Sequence, residues 1–375
     1  MVLLRGFATF SRASGLQMSP AKTSAYFNGV PGWLKADILE VARFTEGELP
    51  FRYLGIPITA GRLSKAQCQI LVEKITSKIA SFGTRHLSYS GRLVLVNAVL
   101  TSLYTYWMNV FVIPKNVVSR LNAICRNYLW DGTVDYMRVP NVSWDKSCSP
   151  KAEGGLGIKD SYALNSVVGG KLVWWIYCCP DKLWVKWVNQ IYLKGKNLDD
   201  YTPTGDMSWG WKNVCRVKEK LSSGYCHGQW LLDLRGYSVS SGYELLRKKY
   251  TPVQWHKYIW HSWSVLKHRF IGWLITREAL QVKEKLYALG ISPDDLCLLC
   301  GREAESHHHL FHHCVYSRGI LEGMARLCAV NIPTDDILMW IWQQHWSKIK
   351  KGILCCAAFI TYGCSGIKLV MTVAL

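Results

Sequence analysis

The sequence predicts a mainly α-helical chain with a few short strands: a helical bundle, a helical connector and a small metal-stapled C-terminal module. Three observations carry that expectation. Apolar residues recur at helical spacing through residues 64–130 and again within 164–192. Strand-like runs are scarce. The clearest is Phe51–Ile58, where Gly55 and Pro57 permit only an edge strand or a bend. A dense Cys/His cluster then occupies 297–314.

Residues 1–62 read as mixed structure, with turn chemistry at Ser14-Gly15 and Asn28–Gly32. Arg5, Arg12, Lys22 and Lys35 precede the first acid, Asp37, a composition that also suits a mitochondrial transit peptide. Ser64 caps a helix starting at Lys65. On it Ile70, Leu71, Ile75 and Ile79 make one face apolar, while Lys74 and Lys78 make the other basic. Ser88–Tyr106 gives a second helix and Val117–Trp130 a third, closing a bundle over 63–135. Between Lys65 and Trp130 stand Lys65, Lys74, Lys78, Arg85, Arg92, Lys115, Arg120 and Arg126 against one acid, Glu73. A merely solvated face mixes signs, so this bias points to phosphate contact.

Residues 136–235 form the Trp-rich connector, with helices at Leu164–Tyr177 and Lys182–Tyr192. Gly154-Gly155-Leu156-Gly157 reads as a turn, because neither GxxxxGKS/T nor GxGxxG accompanies it. A short strand at Tyr237–Val239 and a helix from Ser241 open the module at 236–320. Residues 321–375 are a tail without an assigned fold. Gly363, Gly366 and Lys368 break its apolar run short of a comfortable membrane span.

Composition bounds the function. The 375 residues are 49% hydrophobic, which excludes general disorder, and Gly and Pro show no collagen-like period. A net charge of +19 favours a polyanionic partner, nucleic acid before an acidic membrane surface. The 14 cysteines are scattered and include the adjacent pairs Cys178-Cys179 and Cys355-Cys356. That is no secreted disulfide framework. It suits a reducing compartment, nucleus or cytoplasm, with most thiols buried as small apolar groups. The 18 Trp are expected mainly in cores.

The sharpest chemical signal is Cys297-x2-Cys300-x8-His309-x4-Cys314. Two thiolates at this spacing reach one ion from a tight turn, Gly301 eases the bend, and an imidazole and a third thiolate complete a tetrahedron. Four protein ligands predict one structural Zn2+ without a catalytic position. His307, His308, His312 and His313 compete with His309, and the bland alternative is a His-rich helix beside chance cysteines. Arg302, Lys283 and Lys285 are further candidate RNA contacts. The pairs Asp199-Asp200, Asp294-Asp295 and Asp335-Asp336 lack the flanks of a polymerase carboxylate pair, so no catalytic residue is assigned.

Leu49-Pro-Phe-Arg-Tyr-Leu-Gly-Ile-Pro-Ile58, Leu87-Ser-Tyr-Ser-Gly-Arg-Leu93, Tyr128-Leu-Trp-Asp-Gly132 and Gly154-Gly-Leu-Gly-Ile158 resemble the downstream half of plant non-LTR (LINE-type) retrotransposon reverse transcriptases. Trp255-His-Lys-Tyr-Ile-Trp260, Lys267-His-Arg-Phe-Ile-Gly-Trp273 and the Cys/His cluster resemble the zinc-binding domain that follows such polymerases. The resemblance implies the end of a palm at 1–62, a thumb at 63–135, a connector and the zinc domain. It implies an RNA-directed DNA polymerase family. The palm's aromatic-Ala-Asp-Asp motif, however, would lie just upstream of Phe10–Leu16 and occurs nowhere in these residues. The expectation is a chain that does not polymerise alone but binds RNA or an RNA–DNA hybrid with weak sequence preference. A full-length reverse transcriptase is the protein partner, and no membrane association is expected. The alternatives are a decayed fragment, a protein–protein module and an organelle-targeted basic protein.

Overall fold

A computed structural model describes residues 2–17, 19, 23–27, 29–59, 61–82, 87–135, 139–222, 237–262, 264–327, 329–331, 333 and 340. Among these the chain is mostly helical with a few short strands.

The N-terminal stretch carries α1 (Val2–Ser14), β1 (Ser24–Ala25), α2 (Gly32–Ala42) and β2 (Thr45–Glu46), with β1 and β2 parallel. No residue of α2 is buried, and Phe7, Phe10, Trp33 and Val41 stand in solvent. The run Phe51–Ile58 folds as a hairpin, β3 (Phe51–Tyr53) against β4 (Ile56–Ile58). Its turn places Leu54 and Gly55 at positive φ, which Gly55 adopts without strain.

Ser64 caps α3 (Lys65–Ser81). Its Oγ accepts from the Gln67 amide while Gln67 Oε1 accepts from the Ser64 amide, a reciprocal capping box. The helix buries Cys68, Leu71, Val72, Ile75 and Ile79, the spacing of one face. The second predicted helix is three pieces: α4 (Tyr89–Leu95), a π-helical turn at Val96–Leu100, and α5 (Thr101–Met108). At that turn the Thr101 amide and hydroxyl both donate to the Val96 carbonyl, five residues back. α6 (Lys115–Asp131) ends at Gly132, whose φ of 78° supplies the left-handed cap.

Beyond the bundle come α7 (Trp144–Ser147), a 3-10 turn at Lys151–Glu153, α8 (Ser161–Val167), α9 (Gly170–Cys178), α10 (Leu183–Val188), a π turn at Asn189–Leu193, and α11 (Trp209–Ser222). The helix expected over Leu164–Tyr177 therefore breaks at Val168-Gly169. The break admits a neighbour: a Cβ on Gly170 would stand 2.3 Å from the Tyr237 hydroxyl. That hydroxyl donates to the Val167 carbonyl at 2.7 Å.

The last part holds α12 (Val239–Leu246), α13 (His256–Ile259), α14 (Leu266–Thr276), α15 (Lys283–Ala288) and α16 (Val315–Leu327). The strand expected at Tyr237–Val239 is not formed. Ser238 instead caps α12, accepting from the Ser241 amide, so local capping overrides the β-prone residues.

Two cores organise these helices. The larger runs from Ile56 through the bundle and residues 142–168 to Ala325. The smaller joins Val173, Val188, Leu193, Trp211, Val214 and Leu221. The larger core crosses the segment boundaries drawn at 135 and 235, because rings from α14 enter the bundle. Phe270 stacks on Tyr89 at 5.3 Å, and Trp273 lies 6.4 Å from Trp130. Burying each such ring contributes about 1.5–3 kcal/mol. Among the described residues no helix is long and apolar enough to cross a membrane.

Candidate metal centre

The first two thiols sit on a tight turn. A bridge between Leu296 and Ala304 closes its base, with the Cys297 amide donating to the Glu303 carbonyl at 2.8 Å. Gly301, at φ 65°, lets its amide return to the Cys297 carbonyl at 2.8 Å. Glu305 braces the turn from inside: only 3% exposed, its carboxylate accepts from the Lys283 and Leu298 amides, each at 3.1 Å. Asp294 caps the approach, accepting from the Leu296 amide at 3.0 Å and pairing with Lys283. Its hydrogen bond from Lys283 holds its carboxyl below the usual range.

The other two donors come from a π-helical turn, His309–His313, that leads into α16. Leu310 and Phe311 are buried in the larger core and anchor it, and the Cys314 amide donates to the His309 carbonyl at 2.6 Å. The ligand atoms of Cys297, Cys300, His309 and Cys314 all lie within 4.8 Å of one another. The Sγ atoms of Cys297 and Cys314 are 3.9 Å apart, and Cys300 Sγ is 3.3 Å from His309 Nε2. A tetrahedral zinc with Zn–S bonds of about 2.3 Å needs sulfurs about 3.8 Å apart, so the tetrad fits the ion.

The electrostatics suit a cation. Burial raises the Cys300 thiol, but the Arg302 and Glu303 amides and His309 outweigh it and bring the pKa down to about 6. Burial pushes Cys297 up to about 12. Cys300 is thus the readier thiolate of the two, and the charge of a bound cation would favour deprotonation of Cys297 as well.

The structure selects one imidazole from the five. His309 is 6% exposed, and its Nδ1 lies 2.9 Å from Glu303 Oε2, leaving Nε2 to face the thiols. His307 turns away to the Leu280 carbonyl, and burial together with Lys285 lowers its pKa. His308 packs its ring against those of His312 and His313 at 5.2 and 4.5 Å. Sequence reasoning passed over Glu303 and Glu305. Their position between Cys300 and His309 was the available signal.

Residues 237–320 match the family described as zinc-binding in reverse transcriptase. This segment is a reverse-transcriptase zinc-binding domain. The chain is also 29% identical over 161 residues to a curated Arabidopsis thaliana protein named as a ribonuclease H protein. That match covers 42% of this chain and 26% of the relative, so the chain spans about a quarter of the relative's length.

The zinc-binding domain is tied to the loop before α8. The Gly154 carbonyl accepts from Trp273 Nε1 at 2.8 Å and from Arg277 at 2.6 Å. A Cβ on Gly155 would meet the Ser149 carbonyl at 2.0 Å, so that close approach needs glycine. Arg247 grips Glu153 through two bonds of 2.5 and 2.7 Å, and this partner draws the Glu153 pKa down.

The eight basic residues of the bundle divide. Lys65, Lys74 and Lys78 on α3, and Lys115 and Arg120 on α6, are exposed. Arg120 reaches across to Gln69 at 2.8 Å, joining the two helices. Arg92 is half-buried: it donates to the Trp130 carbonyl at 3.3 Å and lies 5.4 Å over the Tyr89 ring. Burial lowers its pKa. Arg126 is also half-buried and turns to Asn127. Arg85 lies outside the described residues. In the zinc-binding domain Arg302 is exposed, whereas Lys283 is committed to Asp294 and Lys285 to the Glu278 carbonyl.

Proposed function

We propose that this chain is a zinc-binding, nucleic-acid-binding portion of a non-LTR reverse transcriptase that does not polymerise by itself. The observation that carries the reading is the Cys297, Cys300, His309 and Cys314 tetrad inside a reverse-transcriptase zinc-binding domain. In this reading one zinc ion fixes the turn and the start of α16 and has no catalytic position, since four protein donors fill the tetrahedron. The bundle acts as a thumb. Lys65, Lys74, Lys78, Lys115 and Arg120 meet phosphates of RNA or an RNA–DNA hybrid with little sequence preference, while Arg92 and Arg126 support the fold. The exposed Phe7, Phe10, Trp33 and Val41 favour a further reading, in which a full-length reverse transcriptase covers the N-terminal stretch.

The test is a titration of the zinc-loaded chain with a labelled RNA–DNA hybrid at two salt concentrations, with zinc measured on the same sample. Affinity that falls steeply with salt, at about one zinc per chain, supports the reading. A zinc-loaded chain that ignores the hybrid at low salt refutes it.

A further inference from the structure

Two adjoining recesses lie where the loop before α8 meets α4 and α14. The first, about 310 Å³, has apolar walls from Leu93, Trp260, Leu266 and Phe270 and cations at Lys151 and Arg269. The second, about 510 Å³, continues past Lys159 and Tyr243. Asn97, Lys151 and Leu156 line both, so the two form one trough. Asn97 is exposed on the π-helical turn of the bundle, and such turns often mark functional positions.

Among the described residues the cations of the trough meet rings and carbonyls rather than carboxylates. Lys151 Nζ stands 4.5 Å from the Trp260 ring centre, and Lys159 Nζ 4.5 Å from that of Tyr243. Arg269 is held by the Ser264 and Ser262 carbonyls at 2.8 and 2.9 Å. Among the described residues no carboxylate pairs with these three cations, and the wall residue Glu244 is engaged by Arg247 at 2.6 Å. Burial, and then the nearby Arg269, lowers the Lys151 pKa, which an anion between them would reverse. Trp260 Nε1 is enclosed without an acceptor among the described residues.

We infer that this trough binds an unpaired nucleotide within a nucleic-acid strand. Its phosphate lies against Lys151 and Arg269, and its base enters the recess walled by Leu93, Trp260 and Phe270. The inference rests on the nucleic-acid-binding reading and narrows it. A duplex keeps its base faces stacked inside and offers backbone and groove edges, whereas an unpaired base can leave the stack and bury its ring. The volumes fall in the range of ligand pockets, and neither α3 nor α6 contributes a wall. The trough is therefore a second contact, separate from the lysine face that would meet paired backbone.

The experiment compares binding of a labelled oligouridine and a labelled RNA–DNA hybrid by the full zinc-loaded chain. The variants are Lys151→Ala and Asn97→Trp, the latter chosen to fill the recess, with Lys115→Ala as the contrast. The expected result is an about tenfold loss of oligouridine affinity in Lys151→Ala and Asn97→Trp, with hybrid affinity nearly unchanged. Lys151→Ala also lowers the salt slope for the single strand by about one, and Lys115→Ala weakens the hybrid instead. Equal effects of the trough variants on both ligands, or none on either, overturn the inference while leaving the broader reading intact. Failure of the wild-type chain to bind either ligand overturns both. Uridine 5′-monophosphate is the control for source: displacement of the oligomer at equal phosphate concentration would assign the recess to free nucleotides and overturn the strand proposal.

Discussion

The helical bundle and the zinc-binding turn solve the same problem by opposite means. In α3 and α6 the fold is held by rows of buried apolar side chains, with Asn127 the buried polar exception, bonded to the Val134 carbonyl. Between residues 294 and 314 Leu310 and Phe311 give an apolar anchor, but the turn itself is ordered by hydrogen bonds to Glu305 and Asp294 and by four metal-binding donors. A hydrophobic core tolerates the loss of one member at a graded cost. A tetrahedral site does not, because each donor carries a quarter of the coordination.

Substitution at the metal site gives the largest effect. Cys314→Ser takes zinc from about one per chain to none and melts roughly residues 290–320, since such turns draw their folding free energy from the ion. Metal analysis with circular dichroism checks it, and full zinc retention by Cys297→Ser/Cys314→Ser would sink the assignment. Next is Leu71→Ala, which removes a fully buried side chain and costs about 2–5 kcal/mol in denaturant unfolding. Zinc content stays unchanged, the graded behaviour the comparison requires.

Glu153→Gln tests the pair that ties the zinc-binding domain to the loop before α8. The Glu153 pKa is depressed by Arg247, so its contribution is full above about pH 4.5 and is lost as pH falls through the folded value. Wild type should therefore lose stability below pH 4.5 more steeply than Glu153→Gln, which is about 1–3 kcal/mol weaker at neutral pH. Parallel curves in acid unfolding would show that the pair adds nothing. The most local effect is that of Glu303→Gln. The fold persists but zinc affinity falls about 10–100-fold, read by chelator competition, because His309 loses the carboxylate that orients it.

Much of this was legible in the sequence, for local reasons. Ser64 with Gln67 announces a helix start, the aliphatic spacing in 70–79 announces a face, and the cysteine spacing announces a turn that can hold an ion. What escaped depends on distant partners. No local rule says that Arg92 turns inward to the Trp130 carbonyl while Lys65 stays outside, since both sit in equally basic stretches. The choice of His309 among five histidines follows from the π-helical turn and from Glu303, and neither has a periodic signature. The break at Val168-Gly169 answers to Tyr237, some seventy residues on. The strand expected at Tyr237–Val239 failed because β-prone residues there were outweighed by the cap that Ser238 provides.

The stacking of Phe270 and Trp273 on Tyr89 and Trp130 has a consequence for how such a chain can be reshuffled. The matched segment at 237–320 looks like a portable cassette in sequence. Transplanted alone onto another protein, it would carry two large rings into water and leave a matching hollow behind. Recombination that preserves stability must move α4, α6 and α14 together, so the unit of inheritance is wider than the motif that advertises it.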